Sequence, residues 1–339
     1  MRKPDFKNIL KVLNREVPDR PTLFELFLNE RLHRRLAGEE IASMNDKLAY
    51  GRLLIHAFKN AGYDYATVCG SAFHFPKPQI HSRRTISLNE YNVIHDRKSF
   101  DDYQWPDPDS FDYTYLDDLK GELPEGMKLI VFGPGGVLEN VISLTGFDNL
   151  CYMLYEDPGL VEDLFEAVGS RLVRYYEHCC KYDSVGALMS NDDWGFNHQT
   201  MISPKDLKRL VFPWHKRIVE VIHESGKPAI LHSCGNFNDL MDDVIYYLKF
   251  DAKHSFEDKI IPVEEAYEKW GSRIAILGGI DVNFMAISTP EEINLRSRLM
   301  LERSSGRGGY ALGTGNSVPE YIPDEHYFAM TSAAVGSLD

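Results

Sequence analysis

The chain has 339 residues, with 37 Lys+Arg against 51 Asp+Glu and a formal charge of −14. Its 43% hydrophobic and 12% aromatic content suits a folded chain with a sizeable core and excludes a disordered one. The acidic balance sets aside nucleic acid and anionic membrane as main partners. No apolar run approaches the roughly 20 residues of a membrane span, and the start, MRKPDFKNILKVLNRE, lacks a signal-peptide core. Five cysteines suit reduced thiols better than a disulfide framework. A soluble cytoplasmic enzyme is expected.

In chain order, residues 4–15 predict an N-terminal helix, followed by a β-rich run at 22–27. Further strands are predicted at 63–68, 128–132, 185–189, 228–231, 250–254, 273–277 and 309–312, which makes eight. Helical spacing marks 47–60, 161–181, 204–225 and 238–248. Ser203-Pro204 and Thr289-Pro290 read as helix entry signals, the second before 293–303, and Gly226 as a stop. Strand–helix alternation implies parallel pairing through right-handed crossovers. The expected fold is therefore α/β, a (β/α)8 TIM barrel forming one domain over 1–339, with a doubly wound open sheet as the rival. Residues 70–127, rich in Asp, Pro and Tyr, predict an insertion after the second strand, with loops and a short hairpin near the barrel mouth. No helix face is apolar enough to predict an interface between copies.

Active sites of such barrels lie at the carboxyl ends of the strands. The residues predicted there are Cys69 and Ser71, then Asn191, Asp192 and Asp193, then His232 and Cys234. Glu257, Asp258, Asp281, Thr314, Asn316 and Ser317 follow. The sharpest signal is Leu231-His232-Ser233-Cys234-Gly235-Asn236, because side chains two apart at a strand end point to one side. Imidazole plus thiolate suits Zn²⁺, at about 2.0–2.1 Å for nitrogen and 2.3 Å for sulfur. A core histidine beside an inert thiol fits the same spacing. In Asn191-Asp192-Asp193-Trp194-Gly195, adjacent carboxylates can orient a substrate, bind a cation or act as general base, or one can simply cap 196–201. The Gly313–Ser317 loop offers amides for an anion-binding nest, and Gly133-Pro134-Gly135-Gly136 does so more weakly. Cys179-Cys180 read as buried thiols, His74, His81 and His95 as solvated loop residues, and 101–118 as an acidic solvated face. The absence of a Gly-x-Ser-x-Gly elbow disfavours a serine hydrolase.

Several motifs together resemble the uroporphyrinogen decarboxylase superfamily. They are His232-Ser233-Cys234-Gly235, Ile202-Ser203-Pro204 with Phe212-Pro213, Asp192-Asp193, Leu277-Gly278-Gly279-Ile280-Asp281, and Gly313 to Pro319 with Pro323-Asp324-Glu325. The nearer likeness is to its corrinoid-linked branch, the methylcobamide:coenzyme M type of methyltransferase. The resemblance implies a barrel, zinc held by His232 and Cys234, and methyl transfer between a small molecule or thiol and a corrinoid on a partner protein. It also implies a late cysteine ligand, but Thr314 stands in that place, so either another group, Asp193 or Glu257, completes the site, or the metal is lost or different. Roles implied for the rest are catalysis by Asp192, Asp193 and Glu257, and substrate contact by Asn191, Asp281, Thr314, Asn316 and Ser317. The decarboxylase branch holds a tetrapyrrole through an arginine-rich motif, whereas 20–27 has only Arg20. A carboxy-lyase acting on a tetrapyrrole or small acid ranks second, and a non-catalytic cofactor-binding protein third.

Overall fold

The computed structural model describes residues 2–77, 88–89 and 92–336. Seven parallel strands pair strictly in chain order: β1 (Tyr65–Cys69), β2 (Lys128–Phe132), β3 (Val185–Asn191), β4 (Ala229–His232), β5 (Ala252–His254), β6 (Ala275–Leu277) and β7 (Tyr310–Ala311). The strands are buried almost throughout, as parallel strands covered by helices on crossover connections must be. The result is a curled, TIM-barrel-like α/β sheet whose carboxyl ends all face one way.

The first predicted strand, 22–27, corrects the expected count of eight. It forms only an isolated parallel bridge, Leu23 to Leu312, with Phe24 N donating to Leu312 O and Leu312 N to Thr22 O. On its other side hydroxyls from β1 replace a backbone ladder. Tyr65 Oη accepts from Glu25 N at 2.7 Å and donates to Glu25 O at 2.8 Å, and Thr67 Oγ1 donates to Leu26 O. The segment thus lies beside both β7 and β1, but its amide and carbonyl groups on the β1 side go to side chains.

Several helix entry signals hold in the structure. Ser203 caps Pro204–Asp206, Thr289 forms a capping box at the start of Pro290–Ser304, and the N-terminal helix spans Lys7–Leu13. Two predicted α-helices differ in kind. Residues 204–225 pass through a π turn at Leu207–Val211 before Phe212–Glu224, and 238–248 form a 3₁₀ turn and a π turn, Asp243–Leu248. The described part of the insertion carries short helices, Arg97–Asp102 and Tyr115–Asp118, and no hairpin. His81 lies outside the described residues; His74 and His95 are exposed and Cys179 and Cys180 buried, as expected. Among the described residues no helix is long and apolar enough to cross a membrane.

Candidate metal centre

β3 and β4 end side by side, with Asp192 N donating to His232 O at 2.9 Å, and the two following turns meet above the sheet. The meeting is close because both turns use glycine. Gly235 has φ +83°, and a Cβ on it would stand 1.9 Å from Gly195 O. Cys234 N donates to Asp193 Oδ1 at 2.9 Å, which fixes that carboxylate over the turn. His232 Nε2 faces Cys234 Sγ at 3.8 Å. Ligand atoms of Asp193, His232 and Cys234 consequently lie within 4.8 Å of one another, the one such cluster of three among the described residues. Asn316 Nδ2 and Ser255 Oγ also reach the sulfur, at 3.2 and 3.6 Å. Burial pushes the Cys234 thiol up to about 12 and His232 down to about 4, so without a cation both are neutral.

The donor set is one carboxylate, one neutral imidazole nitrogen and one thiol, which fits Zn²⁺. Of the two groups expected to replace the missing cysteine, Asp193 enters the cluster and Glu257 does not. Glu257 is half-buried, and burial, with Asp281 beside it, raises its carboxyl above the usual range.

The acidic pair separates into two roles. Asp192 is fully buried and accepts four hydrogen bonds, from Leu138 N, Glu139 N, Trp194 Nε1 and His215 Nε2. It caps the helix Val137–Thr145, with both carboxylate oxygens engaged by groups of the fold. The expected cap of 196–201 is therefore wrong in its target. Asp281 caps Val282–Ile287 through Phe284 N and takes Asp258 N on its other oxygen. Asp258 itself is forked onto Arg296. Asn191 holds the loop after β2 by accepting from Gly133 N.

Thr314 faces away from the cluster, onto the buried carboxyl of Glu25. Its N donates to Glu25 Oε1 at 2.6 Å, and its hydroxyl lies 2.8 Å from Oε2 and 3.0 Å from Asn316 O. One hydroxyl proton cannot serve both acceptors. Burial pushes Glu25 up to about 8, so it is protonated at neutral pH, and the chain Glu25 O–H to Thr314 Oγ1 to Asn316 O satisfies every group. Thr314 N on Glu25 and Gly315 N on Ile280 O are two amides of this loop that are not open to an anion. Of the expected substrate contacts in this loop, Asn316 reaches the cluster, through sulfur, and Ser317 is partly buried beside it in the chain.

Three groups escaped the sequence reading. His254, at the end of β5, places Nδ1 2.8 Å from His232 Nδ1 and packs on Phe24. The rule that selected His232 could have found it. Lys253 is buried with its ammonium over Phe256 and Phe237, donating to Ser255 O, and burial brings it down to about 7. Glu139, pushed up to about 8 by burial and by the charges of Asp192 and Asp193, borders a cavity of 360 Å³ with Asp193, Ile142, Leu88 and Met201. Nothing in its local sequence marks it, since its setting depends on a distant strand end. A second cavity, of 750 Å³, reaches Met201, Asn236 and Phe237.

Four likenesses bear on this geometry. The sequence model described as uroporphyrinogen decarboxylase (URO-D) matches residues 7–336. The uroporphyrinogen decarboxylase of Anaeromyxobacter sp. (strain Fw109-5) is 26% identical over 251 residues, covering 71% of this chain and 69% of that protein. That of Anaeromyxobacter dehalogenans (strain 2CP-C) is 25% identical over the same length. Among solved structures, a methyltransferase from Methanosarcina mazei superposes over 96% of both chains with a TM-score of 0.68 at 13% identity, a likeness of fold.

Proposed function

We propose that this chain, which belongs to the uroporphyrinogen decarboxylase (URO-D) family, is a methyltransferase working between a small molecule or thiol and a corrinoid on a partner protein. The observation that carries this reading is the convergence of Asp193, His232 and Cys234 beside a cavity. Asp193 in the cluster restores the second negative ligand that another cysteine would have supplied beside Cys234, so a divalent cation is balanced in charge. A zinc ion there would supply Lewis acidity, lowering the pKa of a bound heteroatom.

The chain's own groups account for the remaining needs. Asn316 Nδ2 and Ser255 Oγ donate to the sulfur and favour thiolate over thiol. Leu88, Ile142 and Met201 give the cavity an apolar side on which a methyl group can pack. On demethylation the heteroatom keeps the electron pair of the broken bond and needs a proton, and Glu139, protonated near neutrality, borders the same cavity.

A second reading, a carboxy-lyase, draws support from the names of the relatives. Against it, Arg20 is held by Asp64 and by Lys3 O, at the amino end of its segment, so it offers no clamp for substrate carboxylates at the carboxyl ends. The test is elemental analysis of untagged protein purified without chelator, paired with assays of methyl transfer to a corrinoid and of carbon dioxide release from uroporphyrinogen. Bound zinc and chelator-sensitive methyl transfer are expected. Metal-free protein whose carbon dioxide release ignores both chelator and Cys234→Ala would establish the second reading instead.

A further inference from the structure

We infer that His254 is the positioning residue that makes His232 a metal ligand, by dictating which nitrogen of His232 carries the proton. The inference rests on the metal-centre reading above and concerns a residue outside the donor set. His232 Nδ1 and His254 Nδ1 are 2.8 Å apart, with ring centroids at 5.0 Å. A hydrogen bond between two ring nitrogens contains one proton, so two neutral arrangements exist. If His254 donates, His232 carries its proton on Nε2, the nitrogen facing Cys234, and that lone pair is lost to a metal. If His232 donates, Nε2 is bare and points into the cluster.

The surroundings of His254 choose between them. His254 is fully buried and its Nε2 makes no hydrogen bond, so no donor meets a lone pair there. Burial, with His232 and Lys253 nearby, holds this ring neutral, and the backbone of Thr314 and Asn316 favours the one proton it keeps. Gly278 leaves room for that edge, since a Cβ there would stand 3.1 Å from Nε2 and 2.3 Å from Thr314 O. A lone pair facing carbonyls is repelled, whereas an N–H facing them is not. The proton therefore belongs on His254 Nε2, His254 Nδ1 accepts, and His232 presents a bare Nε2. Metal-bound histidines commonly donate their second N–H to a carboxylate or carbonyl. Here a neutral imidazole accepts it, and the Thr314–Asn316 loop, which lacks the cysteine ligand, acts on the centre through His254.

Two measurements test this. The first is zinc and cobalt(II) affinity by chelator competition for the wild type, His254→Leu and His254→Asn, with the cobalt(II) absorption spectrum and the metal-free Tm of each. His254→Leu should lose about 10- to 100-fold in affinity and shift the cobalt spectrum. His254→Asn, whose Oδ1 can replace the accepting nitrogen, should stay within about threefold of wild type. Equal affinity in all three proteins, or equal loss in both variants tracking metal-free Tm, overturns the inference. The second is the imidazole tautomer of His254 in metal-free wild type by ¹⁵N-resolved NMR, which needs no variant to fold. A proton on Nε2 is expected, and one on Nδ1 overturns the inference. Wild-type protein that binds no metal breaks the metal-centre reading, while the tautomer still decides this one.

Discussion

The two sides of the barrel mouth treat similar chemical groups in opposite ways. Where β3 and β4 end, a carboxylate, an imidazole and a thiol bring their ligand atoms within 4.8 Å of one another. Across the mouth, Glu25 and Thr314 close on each other in a fully buried pair and present nothing. Family resemblance implies a ligand on both sides; this chain keeps one side and seals the other. In the proposed centre the charge count is retained with the second anionic ligand at a different strand end.

The largest expected effect breaks the open side. His232→Ala or Cys234→Ala should abolish stoichiometric metal binding, read by elemental analysis, with little change in the circular dichroism of the folded chain. Next comes Asp192→Ala, which leaves Leu138 N, Glu139 N, Trp194 and His215 without their acceptor. Urea unfolding should show a loss of about 3–5 kcal/mol with metal stoichiometry retained, which would separate the neighbouring aspartates.

The sealed side can be probed by pH. Glu25 titrates at about 8 folded against 4.5 unfolded, so between these values the folded state binds more protons. Wild-type stability should therefore fall as pH rises from about 4.5 to about 8 through this group, then level off. Glu25→Gln copies the neutral acid and should remove that slope, giving a higher Tm than wild type at pH 9 and little difference at pH 5. The smallest effect is expected from Thr314→Cys. Its sulfur would face Glu25, so metal stoichiometry should not change, while the weaker hydrogen bonding costs about 1 kcal/mol in urea unfolding. A stronger cobalt(II)–thiolate absorption in that variant would show that the seal can open.

What could be read from sequence follows the range of the interactions. His232 and Cys234 lie two apart on one strand end, a local relation that periodicity exposes. The same holds for the caps at Ser203 and Thr289. Asp192 and Asp193 could not be told apart, because their roles depend on which oxygen meets a helix start more than fifty residues earlier. Glu25 and Thr314 are 289 residues apart, and nothing local joins them. The missing eighth strand is of this kind too: 22–27 has a strand's composition, but Tyr65 and Thr67 occupy backbone groups that a ladder would have used.

The contact of Gly195 with Gly235 has a consequence for how this centre tolerates change. Asp193 and Cys234 belong to separate turns, and only the missing methyl groups of two small residues let those turns touch. An alanine at either place would pry the turns apart and widen the gap between carboxylate and sulfur while leaving all three donors intact. The width of the grip is therefore written in two residues that contribute no donor atom to it.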